Sequence, residues 1–561
     1  MHVFRCFLLL WVSLCCLGLA AGDATLVLHN GKVVTVEKDQ PQVQAIAVKG
    51  DRILALGSND EIKAHMGDKT RVIDLQGKLV IPGFIEGHAH FLNIGFAKTI
   101  LDLRAAKSWD DIVTQVAQAV AKAQPGELIQ GRGWHQDKWN GVPADSVEGI
   151  PVHKSLSEIS QNNPVILTHA SGHGALVNAR ALSMSGVDAE TPDPAGGQIV
   201  HDKLGNPTGF LREKAIGLIK VDSPSEKIQA ARTRKWARLA SQECLSKGIT
   251  SFQDAGSSYA NVDLFKALAD EYKLGLRLWV MIRASNEEHQ THLANYRTIG
   301  YGNNHLTVRA IKLSIDGALG SRGAWLLEPY TDAPHLRGLN LLTLDSVKRT
   351  AQLAMQHNYQ LGIHAIGDRG NKEVLDIYQA AFKANPNRTD PRWRVEHAQH
   401  LHPEDIPRFG KMGVIASMQA VHCTSDGPWV PDRLGDQRSE QGAYVWQKLK
   451  ASGAVVTNGT DAPVEDVSAI ASYYSAVSRM MNNGKRFYES QRMSRIEALE
   501  SYTINPAFAA HEDHLKGSLK VGKLADMVIL SQDILTVPEA DIPKTEVLTT
   551  IVGGSVLYSK K

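Results

Sequence analysis

Cysteine is scarce in this chain and badly placed for cross-linking. Of the five, Cys6, Cys15 and Cys16 fall near the N-terminus, and only Cys244 and Cys423 lie beyond them. That excludes a disulfide framework; the remaining pair can form one bond at most, and buried free thiols are the plainer expectation. An excess of one charge is also missing: 61 Lys and Arg stand against 59 Asp and Glu, a formal net charge of +2. Such balance gives no reason to expect nucleic acid or an acidic membrane surface as partner, and it says nothing about substrate. Past the N-terminal segment no run is long and apolar enough to span a bilayer. Internal repeats and low-complexity tracts are absent there too.

What is present points to a large globular protein. With 561 residues, 43% hydrophobic and 21% charged, the chain can bury a large core and divides into more than one unit. Residues 1–22 carry one positive charge at Arg5, an apolar stretch from Phe7 to Leu19, and small residues at Ala20, Ala21 and Gly22. These are the parts of a cleaved secretory signal, which implies a secreted or periplasmic protein. An uncleaved anchor is the alternative, weakened because the apolar core is short for a span. Cys15 and Cys16 lack the small residue expected before a lipidated cysteine.

Both ends of the remaining chain read as short strands. TLVLHNGKVVTV, AIAVKGDRILALG and RVIDLQGKLVI are apolar runs broken by turn dipeptides such as Asn30-Gly31 and Gly50-Asp51, and ADMVILSQD and TTIVGGSVLY repeat the style near the C-terminus. The economical reading is a composite β-sandwich from residues 23–80 and 515–561, enclosing a second domain at 81–514. That middle holds eight strand-like segments, mostly alternating with helical stretches: IPGFIEGHAH, GITSFQDAG, RLWVMIRA, VRAIKLSIDGA, QLGIHAIGD, RWRVEHAQ, GVIASMQA and AVVTNGTDA. The pattern predicts an α/β fold, a (β/α)₈ TIM barrel with its site at the C-terminal ends of the strands. The gap between the first two segments exceeds what one crossover helix needs. It predicts an inserted α+β cap lobe at about 125–225, containing GRGWHQDKWNG and NNPVILTHASGHGALVNARAL.

Ionisable residues fall late in these runs. His88 and His90, at i and i+2 on a strand, project to one face and can direct two imidazoles at one ion. Alone, His-x-His is weak among 22 histidines. Its weight comes from His364, His397 and Asp461, which close later strands of the same series.

PGFIEGHAH, HAIGDRG, VEHAQ and NGTDAPVE, in that order, resemble the amidohydrolase superfamily. IKLSIDGALGSRGAWL and GHGALVNARAL resemble its amidohydrolase-3 branch, which includes N-substituted formamide deformylases. The likeness runs from about Ala24 to Tyr558. It implies a metal-dependent hydrolase of amide or cyclic amide C–N bonds, acting on a small-molecule substrate through a metal-activated hydroxide. It also implies one or two divalent metals, zinc foremost, held by His88, His90, Lys312, His364, His397 and Asp461. Lys312 matches a lysine that carries CO₂ as a carbamate in two-metal members; burial beside cations disfavours its charge and frees the amine to react. The alternative for Lys312 is a buried amine paired with Asp316. Asp461 is the expected proton acceptor and donor, and in a one-metal enzyme His397 handles protons instead of ligating.

Softer candidates surround this set. His173 in SGHGALVN matches a histidine of the branch and is expected to polarise the substrate carbonyl or contact its far end. Trp134 is a candidate pocket wall and Arg322 a candidate carboxylate holder, with packing and a surface ion pair as their respective alternatives. Gln419 and His422 follow the seventh strand in SMQAVHCTSD, where Ala420 stands in a position the branch commonly gives to proline. GALGSRG lacks the lysine and hydroxyl of a phosphate loop. A one-metal deaminase-type hydrolase and a silent secreted binding protein remain the competing functions, and a homo-oligomer is left open. Two glycosylation sequons occur, at Asn387 and Asn458; a glycan on the second would block the proposed site unless folding hides it.

Overall fold

The computed structural model describes residues 24–222 and 224–560, so the predicted signal lies outside the described residues. Eight parallel strands form the central sheet: β1 (Phe84–Ala89), β2 (Ile249–Ser257), β3 (Arg277–Ile282), β4 (Leu306–Ser314), β5 (Gln360–Ala365), β6 (Arg394–His397), β7 (Ile415–Met418) and β8 (Val456–Asn458). All eight segments read from the sequence are among them, in order. Every residue of β1, β3 and β5 is buried, as expected when helices cover the outside of a parallel sheet.

The ring closes between β8 and β1 through the loop that leaves β8. Asp461 N–H donates to His88 O at 2.8 Å and His90 N–H to Ala462 O at 2.8 Å. Two glycines permit this approach: a Cβ at Gly87 would meet Asn458 O at 2.4 Å, and one at Gly459 would meet His88 N at 2.5 Å.

Strands from both chain ends share one sheet. Leu79–Pro82 pairs antiparallel with Met527–Leu530, in register Val80 to Ile529, within a six-stranded sheet that also holds Lys32–Val34 and Val547–Val552. A four-stranded sheet containing Leu26–His29 and Ala45–Lys49 packs against it through Leu26, Ile46, Val80 and Ile529. Between β1 and β2 lies a separate six-stranded sheet running from Leu101–Asp102 to Pro207–Glu213. Its own apolar core is built around Trp134, Leu167 and Phe210.

Both sequons can now be placed. Asn387 is exposed, whereas Asn458 is buried at the end of β8, its Oδ1 accepting from Ala420 N–H at 2.8 Å. Cys244 and Cys423 are both buried and free, and burial raises the pKa of each, Cys423 to about 11.

His289, on the helix Asn286–Tyr296 that follows β3, is fully buried against the Tyr259 hydroxyl at 2.9 Å, and burial pushes its pKa down to about 4. A folded-state pKa below the unfolded value makes its contribution complete above about 6.5 and lost as pH falls through about 4. Denaturation of chelator-treated protein at pH 7 and pH 4.5 should therefore show an acid loss that is smaller by about 2 kcal/mol in His289→Gln. An identical acid loss in both proteins would refute this role.

Candidate metal centre

Strand register gathers the candidate ligands at one end of the barrel. On β1, Glu86 and His88 share the inner face; on β4 Lys312 does so, paired with Gly362 of β5, and His364 of β5 pairs with Glu396 of β6. His397 follows Glu396 directly, so strict alternation would turn it away from the barrel. Its backbone breaks that alternation, with φ +72° at His397 and +43° at Ala398. Asp461 likewise sits at φ +55°. Both conformations are costly for residues with a Cβ and mark positions fixed by their surroundings.

The resulting cluster is tight. His88 and His397 ring centroids are 4.7 Å apart, and those of His364 and His397 are 4.4 Å apart. Asp461 Oδ1 lies 3.2 Å from His90 Nε2 and 3.6 Å from His88 Nε2. Buried atoms here without a hydrogen-bond partner among the described residues are His88 Nε2, His364 Nε2, His422 Nε2 and Asp461 Oδ1. Buried polar atoms are rarely left unpaired, and His88 Nε2 and Asp461 Oδ1, 3.6 Å apart, fit a cation that they would ligate. Donors of His88, His90 and Asp461 lie within 4.8 Å of one another, and so do those of His397, His422 and Asp461. The nitrogen and oxygen donor set suits a divalent metal.

Electrostatics agree with that use. Burial pushes His88 down to about 4 and drives His364 and His397 well below the usual imidazole range, so all three are neutral and able to donate lone pairs. Burial alone would raise Asp461, yet its contact with His90 and the nearby imidazoles of His397 and His88 hold it well below the carboxylate range. Lys312 is 2% exposed, and burial pushes it down to about 8. Its amine makes no hydrogen bond or ion pair among the described residues. Asp316 does not pair with it: that carboxylate accepts from the backbone N–H groups of Trp325, Ile366 and Gly367 at 2.8–3.0 Å and ties together the loops after β4 and β5.

Several supporting residues lie in or beside the motifs without having been given a role by the sequence. Glu396 accepts from His88 Nδ1 and is gripped by Arg394, whose Nε and Nη2 donate at 2.7 and 3.0 Å. Arg394 also donates to Gly87 O and Ser417 Oγ, so one guanidinium on β6 braces β1 and β7. Fixing Nδ1 presents Nε2 of His88 to the cluster. Glu86, pushed up to about 8 by burial, accepts from Thr460 N–H and Oγ1–H and so pins the loop before Asp461. The sequence signal was position: Glu86 lies two residues before His88 on one strand, and Glu396 directly precedes His397 on another.

The softer candidates divide. His173 lines a cavity of about 510 Å³ together with His90, Lys312, His364, His397 and Asp461, and its Nδ1 is bonded to Glu213 at 2.8 Å. Gln419 Oε1 meets His397 Nδ1 at 2.8 Å, and the His422 ring lies parallel to His397 with centroids 6.4 Å apart. Trp134 is fully buried in the core of the inserted sheet, its indole N–H donating to Leu167 O at 2.9 Å, and it does not line this cavity. Arg322 pairs with Asp332 at 3.0 Å, also away from the cavity lining. Trp134 follows its packing alternative and Arg322 its ion-pair alternative, because each finds its partner locally.

An α/β barrel with neutral imidazoles, a buried carboxylate and unpartnered donors at its C-terminal mouth defines a metal-dependent hydrolase. The chain belongs to the amidohydrolase family, whose family model matches residues 71–558. It is 34% identical to Protein LONG AFTER FAR-RED 3 of Arabidopsis thaliana over 571 residues, covering 98% of this chain and 94% of that one. It is 26% identical to N-substituted formamide deformylase of Arthrobacter pascens, covering 95% and 98%. Among solved structures, an uncharacterized metal-dependent hydrolase from Pyrococcus horikoshii superposes with a TM-score of 0.73 at 25% identity, covering 92% of this chain and 99% of that one.

Proposed function

We propose that this protein hydrolyses an amide or related C–N bond of a small molecule, using one or two zinc ions held by His88, His90, Lys312, His364, His397 and Asp461. The observation that carries the reading is the set of unpartnered buried atoms, His88 Nε2 3.6 Å from Asp461 Oδ1 and His364 Nε2, with Asp461 and His364 lining one cavity. A divalent metal held there supplies Lewis-acid polarisation of a carbonyl and lowers the pKa of water from about 15.7 to about 7.

The chain's own residues then do the positioning and proton work. Asp461, held ionised, accepts a proton at its carboxylate and returns it to the leaving nitrogen. Glu213 fixes His173 through Nδ1 and raises its pKa against the effect of burial, which leaves Nε2 to donate to the substrate carbonyl oxygen. Gln419 orients His397 in the same manner. The unpaired, depressed amine of Lys312 could react with CO₂, and as a carbamate it would add an anionic ligand to those that would hold the metal. We further read residues 23–80 with 515–561 as one β-sandwich domain, about 125–225 as a cap, and residues 1–22 as an export signal. N-terminal sequencing of the exported protein tests the last point.

Elemental analysis of purified wild type and Lys312→Ala, paired with a screen of N-formyl, N-acyl and cyclic amides, tests the whole. Wild type should hold one or two divalent ions per chain. If it holds two, Lys312→Ala should lose at least one. Metal-free wild type overturns the reading, and so does failure of every amide. A single ion retained in both proteins would favour the one-metal deaminase-type alternative.

A further inference from the structure

Cationic side chains outnumber carboxylates around the cavity above the cluster. Arg132, Lys214 and Arg283 line it beside the Lys312 amine, against two carboxylates, Glu213 and Asp461. Glu213 is bonded to His173, and Asp461 faces His88 and His90 within the cluster. Arg132, on the inserted-sheet strand Ile129–Trp134, is half-buried and forms no ion pair among the described residues. Its Nε is buried without a partner, and its one hydrogen bond is a long one of 3.4 Å from Nη2 to Ala170 O. Burial pushes its pKa down to about 10, as expected for a cation desolvated without a counter-ion. The neighbouring Asp102 is no remedy, since Arg104 holds it through two bonds.

Arg283 repeats the arrangement on the barrel side. It lies directly after β3, at the same C-terminal face as the ligands, with its side chain open to the cavity. Nη2 donates to Ser314 Oγ at 2.7 Å, which anchors one edge of the guanidinium, and no ion pair forms among the described residues. A planar guanidinium with free donors matches carboxylate and phosphate oxygens. Arg132 is partly buried without a counter-ion, which is costly unless a ligand brings the missing charge, and the exposed Arg283 guanidinium offers free donors at the cavity mouth.

We infer that the substrate bears an oxyanion, carboxylate or phosphate, bound by Arg132 and Arg283 while its amide faces the metal cluster. This rests on the hydrolase reading above and narrows it from amides in general to acidic amides. The scissile group and the anion are then separate handles, which fix the direction in which the substrate enters.

Three formamides separate the possibilities: neutral N-formylphenethylamine, its carboxylate counterpart N-formylphenylalanine, and N-formyl-phosphoethanolamine. With wild-type holoenzyme, kcat/KM for one of the two anions should exceed that of the neutral compound by about 100-fold, and which anion wins identifies the group. Arg132→Ala and Arg283→Ala should each shrink that ratio about tenfold, and Lys214→Ala should shrink it less. Melting curves and metal content matching wild type establish that the variants are folded and loaded. A ratio near one in wild type, or one unchanged in Arg132→Ala/Arg283→Ala, overturns the inference. If no formamide or other amide is cleaved, the hydrolase reading fails separately. Calorimetry with 3-phenylpropionate against 3-phenylpropanol then decides the anion site: preference for the acid must be lost in the double variant, and its survival there overturns the site.

Discussion

Asp461→Asn is expected to lower kcat/KM about 10⁴-fold while leaving the fold intact. The side chain keeps its shape and can still meet His90, but it loses the charge and the basic oxygen on which three roles depend. Asp461 belongs to both donor groups in the cluster; its Oδ1 is buried without a partner of its own; and it is the proposed carrier of the proton that reaches the leaving nitrogen. Loss of a general acid–base residue alone costs up to about 10⁴-fold, and weakened metal retention adds to that. Steady-state kinetics with saturating metal, metal content by elemental analysis and a melting curve separate these contributions. Retention of more than a tenth of wild-type activity would remove Asp461 from the chemistry. Neighbouring Glu86 makes a contrast: raised to about 8, it is largely protonated at neutral pH and serves as a hydrogen-bonding strut for Thr460.

Glu396→Ala is expected to destabilise the protein by about 3–5 kcal/mol and to weaken metal binding 10- to 100-fold. Glu396 and Arg394 are both fully buried inside the barrel. Removing the carboxylate strands a guanidinium whose remaining partners, Gly87 O, Ser417 Oγ and Gln253, are all neutral. The same change frees Nδ1 of His88, so the imidazole can turn or adopt the other tautomer and Nε2 is no longer held ready. The two effects separate in Arg394→Met/Glu396→Leu. Replacing the whole ion pair with apolar side chains should recover most of the stability, yet metal affinity should stay low because His88 still lacks its acceptor. Chemical denaturation and metal titration against a competing chelator measure each. Recovery of both in the double variant would show that Glu396 acts on stability alone.

The barrel was legible because its strands are buried on both faces and therefore read as apolar runs of the right length, whatever else surrounds them. His88, His90, His364 and Asp461 were legible because each closes such a run. Glu396 and Arg394 were not. Nothing in VEHAQ shows whether an acid on an inner face neutralises a cation, ligates a metal or braces a histidine, and the answer depended on the guanidinium two residues earlier and on a histidine more than three hundred residues away. Trp134 misled for a related reason: glycines beside an aromatic look like the wall of a pocket, but the indole found a carbonyl within its own sheet.

Local periodicity, turn chemistry and the order of strand-closing residues disclosed the barrel and the candidate donors along its strand ends from the chain alone, since each depends on spacing along the backbone. Three things required the folded molecule: the left-handed backbone that turns His397 inward, the ring closure that seats Asp461 over His88, and the gathering of unpaired cations in one cavity. A net charge of +2 concealed the last of these completely. Charge interactions and lone-pair directions are set by distance in space, and a sequence records distance only along the chain.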